Sequence, residues 1–354
     1  MERTLALQVI EANLNRLREG IRVAEDLLRY TPGAEREFSI LKKLRLDAGA
    51  AERQTRRVLG GELSRARRLQ RDSGKDETPA AELARGDVSE LITPNLKRAQ
   101  EAARTIEELA KLTTGAALSR RYKKLRFAIY ACETEVISKL AALSKRARFI
   151  KALERFPVYL VVDDLNTSAQ TPLELARAYY KAGGRVAQLR MKSASARARL
   201  VLARELQRAF PGLMLIINDR VDLARAAGAF GVHLGPQDLP LSALTDVRGE
   251  LLVGLSAGGA GAAKKGVAAG ADYIGVGAIH HTETKARMRV VGITGVRRTA
   301  KAIDAPIVAI GGITAGNLAA VLRAGASGCA VISAVSSPKG ARKLYAEAQK
   351  LAKR

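Results

Sequence analysis

The sequence predicts an α/β protein in which a (β/α)8 TIM barrel follows an all-α helical domain carrying an internal duplication. Three observations predict it. Apolar residues recur every three or four positions through residues 1–150, a polar pattern in that stretch returns 82 residues later, and from about residue 157 eight short apolar runs alternate with helical segments.

The helical domain is expected over residues 1–150. Leu14, Leu17, Ile21, Ala24 and Leu28 share the spacing of one helix face. Pro32-Gly33, Gly60-Gly61 and the polar stretch from Arg71 to Asp76 punctuate it. Asn13, Leu14, Arg16, Glu19, Arg22, Glu25 and Leu27 recur as Asn95, Leu96, Arg98, Glu101, Arg104, Glu107 and Leu109. Lys42-Lys43-Leu44-Arg45 recurs as Lys123-Lys124-Leu125-Arg126 at an offset of 81. Two helical hairpins in pseudo-twofold relation follow from this repeat. The polar stripe in each copy reads either as a ladder of ion pairs or as paired arginines lining an anion site. Ser144–Pro157 is the expected junction, helical in character.

The barrel is expected over residues 157–354. Its strands would be Val158–Val162, Val186–Leu189, Leu213–Ile217, Gly231–Leu234, Leu251–Leu255, Tyr273–Val276, Pro306–Ile310 and Gly328–Ile332. Their starts lie 18 to 33 residues apart, which leaves room for crossover helices. A doubly wound open sheet is disfavoured because no G-x-G-x-x-G follows the first strand.

Composition sets the outer bounds. The chain has 354 residues, 60 basic and 35 acidic, for a net charge of +25; aromatics are 4% and Trp is absent, so the core must be aliphatic. The charge is spread over both halves, +10 in residues 1–150 (31 basic, 21 acidic) and +15 in the remainder (29 and 14). That disfavours a basic nucleic-acid-binding tail. Cys132 and Cys329 are too few for a disulfide framework or a zinc knuckle. No apolar run approaches the ~20 residues of a membrane span. The N-terminus lacks a secretory signal, so a cytoplasmic location is expected.

Barrel chemistry sits at the C-terminal ends of the strands, and there the unusual residues fall. Strand two ends in Gln188, Arg190 and Lys192, which alternation points the same way. Strand three ends in Asn218-Asp219, and Asp238 follows strand four. Two carboxylates beside two cations suit Mg2+ bridging a diphosphate. Ser256 ends strand five, and strand six runs into Thr282, Thr284 and Lys285. Gly311-Gly312 after strand seven and Ile332-Ser333 after strand eight suit a barrel phosphate site. The set describes a site for two phosphorylated ligands, one held with Mg2+.

These residues stand in GGRVAQLRMKS (183–193), LIINDRVDLARAAGAFGVHLGPQDLP (215–240), VGLSA (253–257), GADYIGVGAIHHTETK (270–285) and IVAIGGITAGNLAAVLRAGASGCAVISA (307–334). In these motifs and their order the second half resembles the thiamine phosphate synthases. The resemblance implies a transferase that joins 4-amino-2-methyl-5-hydroxymethylpyrimidine diphosphate to thiazole phosphate, or its carboxylate, and releases pyrophosphate by a dissociative, Mg2+-assisted substitution. It implies that Gln188, Arg190, Lys192, Asn218, Ser256 and Lys285 hold the pyrimidine diphosphate, and that Asp219 and Asp238 bind Mg2+. Arg190, Lys192, Lys285 and Ser256 would be the catalytic members. Thr282, Thr284, Gly312, Ile332 and Ser333 would hold the thiazole phosphate. The chain departs from the family pattern at Ala278, His280 and His281, where a Pro-Ile-Phe-Pro stretch is usual, and at Gly258, where His is common.

The sister thiazole tautomerases share the fold but do not use the pyrimidine-diphosphate residues, which are intact here. A non-catalytic anion-binding barrel is the reading from a different class. The helical half resembles an extension found on some synthases, with the same N-x-x-R-x-x-E-x-x-R-x-x-E pattern. The expected partners are small-molecule substrates; no membrane is expected, nucleic acid is disfavoured, and homo-oligomerisation stays open.

Overall fold

A computed structural model describes residues 2–66, 88–167, 170–247, 249–281 and 290–352. The chain divides into two compact units, Met1–Leu140 and Ala141–Arg354.

The first unit is helical: α1 (Glu2–Arg29), α2 (Glu35–Leu59), α3 (Gly61–Ala66), α4 (Val88–Thr113) and the beginning of α5 (Ala116–Arg155). The periodic residues Leu14, Leu17, Ile21, Ala24 and Leu28 are all buried on α1, and Leu96, Ala99, Ala103 and Ile106 are buried on α4. The two helices approach closely at Gly20, where a Cβ would stand 2.4 Å from the Asn95 carbonyl oxygen.

The duplication is visible atom by atom. Gly33 and Gly115 turn the two hairpins with φ of 82° and 85°, a left-handed geometry that glycine adopts without a steric penalty. The Asn13 amide donates to the Val9 carbonyl at 2.8 Å, and Asn95 does the same to Leu91 at 2.8 Å. The Thr31 and Thr113 hydroxyls donate to Leu27 and Leu109, each at 2.9 Å. Buried Glu25 accepts from Arg45, and buried Glu107 accepts from Arg126. Each pair therefore joins a glutamate of the first hairpin helix to an arginine of the second.

Within the polar stripe Arg22, Glu25, Arg104 and Glu107 stand in ion pairs, with Asp26, Arg45, Glu108 and Arg126 respectively. Arg18, Arg22, Arg45 and Arg53 do line a groove of about 330 Å³. Three of them already face carboxylates: Arg18 with Glu52, Arg22 with Asp26, and Arg45 with Glu25. The Arg71–Asp76 loop lies outside the described residues.

In the second unit eight parallel strands close into a barrel in sequence order. They are β1 (Val158–Asp163), β2 (Val186–Arg190), β3 (Met214–Asn218), β4 (Gly231–Leu234), β5 (Leu252–Ala257), β6 (Tyr273–Gly277), β7 (Ile307–Ile310) and β8 (Gly328–Val331). Val158 pairs with Cys329 and Leu160 with Val331 to seal the sheet. Around it run α6 (Pro172–Lys181), α7 (Ala196–Ala209), α8 (Val221–Ala227), α9 (Ala260–Ala268), α10 (Gly292–Ala300), α11 (Leu318–Arg323) and α12 (Pro338–Ala352). The two shortest gaps are bridged by seven-residue α8 and by a 3-10 segment, Leu241–Val247. Thr171 caps α6 with Glu174 in a reciprocal capping box, followed by Pro172 in the first turn.

Period-two alternation sorts the strand residues. Leu160, Val162, Leu189, Leu215 and Val232 face the surrounding helices in the outer core. Tyr159, Val161, Val186, Ile216, Tyr273 and Val308 fill the inside. The N-terminal end is closed by Phe149 and Leu153 of α5, both fully buried in that inner cluster. The Phe149 ring lies 4.7 Å from that of Tyr273 and 6.4 Å from that of Tyr159. Arg146 donates to the Asp304 carbonyl at 2.9 Å, and Lys145 to that of Glu250, just ahead of β7 and β5. The Ser144–Pro157 junction is therefore helical through Arg155 and forms the barrel floor. The unit boundary falls ahead of it because those side chains pack inside the barrel.

Phe149→Ala should lower barrel stability by about 3–5 kcal/mol, the cost of emptying a large buried ring site. A urea melt followed by tyrosine fluorescence, practical because Trp is absent, checks this. A wild-type midpoint would place the floor elsewhere.

Candidate active site

At the C-terminal end of the barrel the alternation that fills the floor brings polar residues inward. A cavity of about 460 Å³ opens there. Gln188 and Arg190 of β2, Asn218 of β3 and Ser256 of β5 line it, together with Gly312 after β7 and Ile332 and Ser333 after β8. Thr282, Thr284 and Lys285 lie outside the described residues. Lys192, Asp219 and Asp238 are not wall residues of the cavity. Lys192 reaches toward Asp219, Nζ to Oδ2 at 3.9 Å.

Arg190 is held by a residue absent from the sequence reading. Asp163, at the end of β1 and 3% exposed, forms an ion pair with the Arg190 guanidinium. Register places the two side by side on neighbouring strands. The Asp163 carboxylate also accepts the Leu165 N–H at 3.0 Å, and Asn166 Oδ1 accepts the Asp163 N–H at 2.8 Å. A buried pair of this kind is costly to break on one side, because the remaining charge is stranded. Next to it Asp164 accepts from the Ser193 hydroxyl at 2.6 Å and N–H at 3.0 Å. Burial works against the Asp164 charge, but the Ser193 bonds and the Arg190 charge outweigh it and hold the carboxyl below its ordinary range. The signal for both residues was present: Asp163-Asp164 follow a strand as Asn218-Asp219 do.

Asp219 and Asp238 form the acidic edge. Asp219 adopts φ of 64°, outside the range non-glycine residues favour, and its N–H donates to the His233 carbonyl at 2.9 Å. Burial and the hydrogen bond and charge of Asp238 push the Asp219 carboxyl up, against the pull of Lys192 and Arg190. Asp238 also accepts the Gly235 N–H at 2.6 Å. Two carboxylates that repel one another this closely fit a hard dication between them. Among the described residues no cluster of three or more His, Cys, Asp or Glu is placed to hold a metal, so such an ion would draw its remaining ligands from phosphate and water.

The rim after β7 is built by close backbone approach. Gly311 and Gly312 adopt φ of 103° and 64°. A Cβ on Gly312 would stand 2.6 Å from His280 Cβ, and one on Gly311 would stand 2.9 Å from Ala278 Cα. Asn317 pins the turn, donating to the Gly312 carbonyl at 2.8 Å and accepting the Thr314 N–H at 2.8 Å.

Beneath these residues the cavity wall holds Tyr159, His233 and Tyr273, also missed from sequence. Their positions alternate inward in step with Gln188 and Ser256. They read as core because Tyr in a strand usually is.

Known proteins match in both units. Residues 158–335 match the thiamine monophosphate synthase family, and residues 8–135 match the ThiD2 family. A thiamine-phosphate synthase of Gloeobacter violaceus is 37% identical over 95% of this chain and 93% of its own length. That of Thermosynechococcus vestitus is 35% identical over 93% of this chain and 90% of its own. A solved thiamine phosphate pyrophosphorylase from Pyrococcus furiosus superposes with a TM-score of 0.51 at 32% identity, over 56% of this chain and 96% of that one. No described helix is long and apolar enough to cross a membrane. Barrel, rim residues and the match along nearly the whole chain agree, and the chain belongs to the thiamine phosphate synthase family.

Proposed function

We propose that the chain joins 4-amino-2-methyl-5-hydroxymethylpyrimidine diphosphate to thiazole phosphate, releasing pyrophosphate and forming thiamine phosphate. The observation that carries this reading is the convergence of Gln188, Arg190, Asn218 and Ser256 with Gly312 and Ser333 on one cavity, in a chain of this family. The cavity of about 460 Å³ carries polar groups from β2, β3 and β5 and from the segments that follow β7 and β8.

The pyrimidine diphosphate would lie on the β2–β5 side, its ring against Gln188 and Ser256 and its phosphates toward Arg190 and Lys192. Asp219 and Asp238 would hold Mg2+, which would supply charge neutralisation on the diphosphate. The thiazole phosphate would lie toward Gly312, Ile332 and Ser333, with Thr282 and Thr284 as further contacts and Lys285 on the diphosphate. As the carbon–oxygen bond to the diphosphate breaks, charge builds on the leaving group, and fixed cations stabilise that charge more than the ground state. Arg190 suits this because Asp163 fixes its guanidinium before substrate arrives, so little reorganisation is needed in the transition state. The resulting pyrimidine-methyl cation is attacked by the thiazole nitrogen. No side chain has to remove a proton in this substitution.

The purified full chain supplied with both substrates and Mg2+ should form thiamine phosphate and pyrophosphate together. Failure to do so with fresh substrates would end this reading. Arg190→Ala should lower kcat by about a hundredfold or more, the scale of a lost transition-state donor, and near-normal turnover would remove Arg190 from the diphosphate site. Asp219→Asn should raise the Mg2+ concentration needed for half-maximal rate by at least about tenfold, since metal-site substitutions of this kind cost affinity on that scale. An unchanged Mg2+ titration would place the ion elsewhere.

A further inference from the structure

Five polar side chains on five strands form one continuous hydrogen-bonded line across the barrel interior. Gln188 Nε2 donates to the Tyr159 hydroxyl at 3.1 Å. The Tyr159 and Tyr273 hydroxyls are 3.0 Å apart, the Tyr273 hydroxyl is 3.0 Å from His233 Nδ1, and His233 Nε2 is 2.9 Å from Ser256 Oγ. Both tyrosines are almost wholly buried, and burial keeps their hydroxyls protonated. The rings fit only because their neighbours lack side chains. A Cβ on Gly254 would stand 2.1 Å from Tyr273 Cζ, and one on Gly275 would stand 2.9 Å from His233 Cε1.

Each hydroxyl has one hydrogen to give and can accept from either neighbour, so the contacts allow the line to run in either direction. In the direction that leaves a free hydrogen on Ser256, Gln188 gives a hydrogen to Tyr159, which gives its own to Tyr273. Tyr273 gives its hydrogen to His233 Nδ1, leaving His233 with its proton on Nε2, directed at Ser256 Oγ. Ser256 accepts there and is left with its own hydrogen for the cavity. At the other end, the Gln188 carbonyl is turned away from Tyr159. The ordered line thus presents an acceptor at one end and a donor at the other, both on residues lining the cavity. An aminopyrimidine offers the complement, an amino donor and ring-nitrogen acceptors.

We propose that Tyr159, Tyr273 and His233 are positioning residues that act through Gln188 and Ser256 to select and orient the pyrimidine ring. The proposal rests on the assignment of the pyrimidine substrate to this side of the cavity. The three residues need not touch the substrate. They set which way two contacting groups point.

Tyr273→Phe keeps the ring and removes the hydroxyl that links both halves of the line. It should raise the KM for the pyrimidine diphosphate about tenfold, the weight of one or two hydrogen bonds, and leave the KM for thiazole phosphate within about twofold. Tyr159→Phe should act in the same direction. The double variant should be no worse than the weaker single variant, because both act through one line. A purely structural role would instead lower stability, move both KM values alike and make the two effects additive.

The ligand-free protein carries a second readout. The chain has three histidines, so the His233 ring can be identified by ¹⁵N NMR through the signals lost in His233→Asn. Wild-type His233 should show the Nε2–H tautomer, with Nδ1 accepting a hydrogen bond that disappears in Tyr273→Phe. A wild-type Nδ1–H tautomer, additive single variants, or parallel changes in both KM values would overturn the proposal. If wild-type protein makes no thiamine phosphate, the proposed function falls, while the tautomer still tests the line itself. If Tyr273→Phe does not fold, Tyr159→Phe and the wild-type tautomer decide the matter.

Discussion

Closing β1 onto β8 is the constraint on which the second unit depends. Once Val158 pairs with Cys329, no strand edge is left open and every inward side chain points into one enclosed column. That column must be filled at one end and open at the other. Phe149 and Leu153 fill the floor with Tyr159 and Tyr273, and the column ends in a cavity of about 460 Å³ lined by the C-terminal residues of the same strands. Stability and chemistry share strands: Tyr159 packs against Phe149 below and bonds Gln188 above.

Electrostatics at the rim follow from that enclosure. A guanidinium brought into a partly desolvated column needs a counter-charge, and Asp163 on the adjacent strand supplies it. At the same rim Lys192 Nζ stands 3.9 Å from Asp219 Oδ2, while burial and Asp238 push the Asp219 carboxyl up. In the helical unit Arg22, Arg45, Arg56, Arg104 and Arg126 are paired with acidic side chains, so the net excess rests on other basic residues, +10 of it in residues 1–150 and +15 in the remainder.

The helical unit shows how much of a duplication outlasts divergence. The two hairpins keep their left-handed glycines, their Asn and Thr bonds and one buried Glu–Arg pair each, since these hold a turn or satisfy a buried charge. Elsewhere they differ. Leu46 and Gly49 in the first copy correspond to Phe127 and Tyr130 in the second, where both rings lie against the Arg126 guanidinium at 4.7 and 5.7 Å. Leu46, Phe127 and Tyr130 are exposed, and the two copies fill these positions differently.

The sequence by itself determined the two architectures, the repeat and the strand positions, because periods of 3.6 and 2 are local properties of the chain. It also marked Gln188, Arg190, Asn218, Ser256, Gly312, Ile332 and Ser333, because strand C-termini in a barrel face one rim wherever the rim lies. Only the tertiary structure decided that Asp163 holds Arg190, that the end of α5 closes the floor, and that Tyr159, Tyr273 and His233 join Gln188 to Ser256. The hydrogen-bonded partners among them are separated by between 23 and 114 residues along the chain. No local pattern encodes such a pairing. It arises when parallel strands close in register and bring inward side chains within hydrogen-bonding distance across the column.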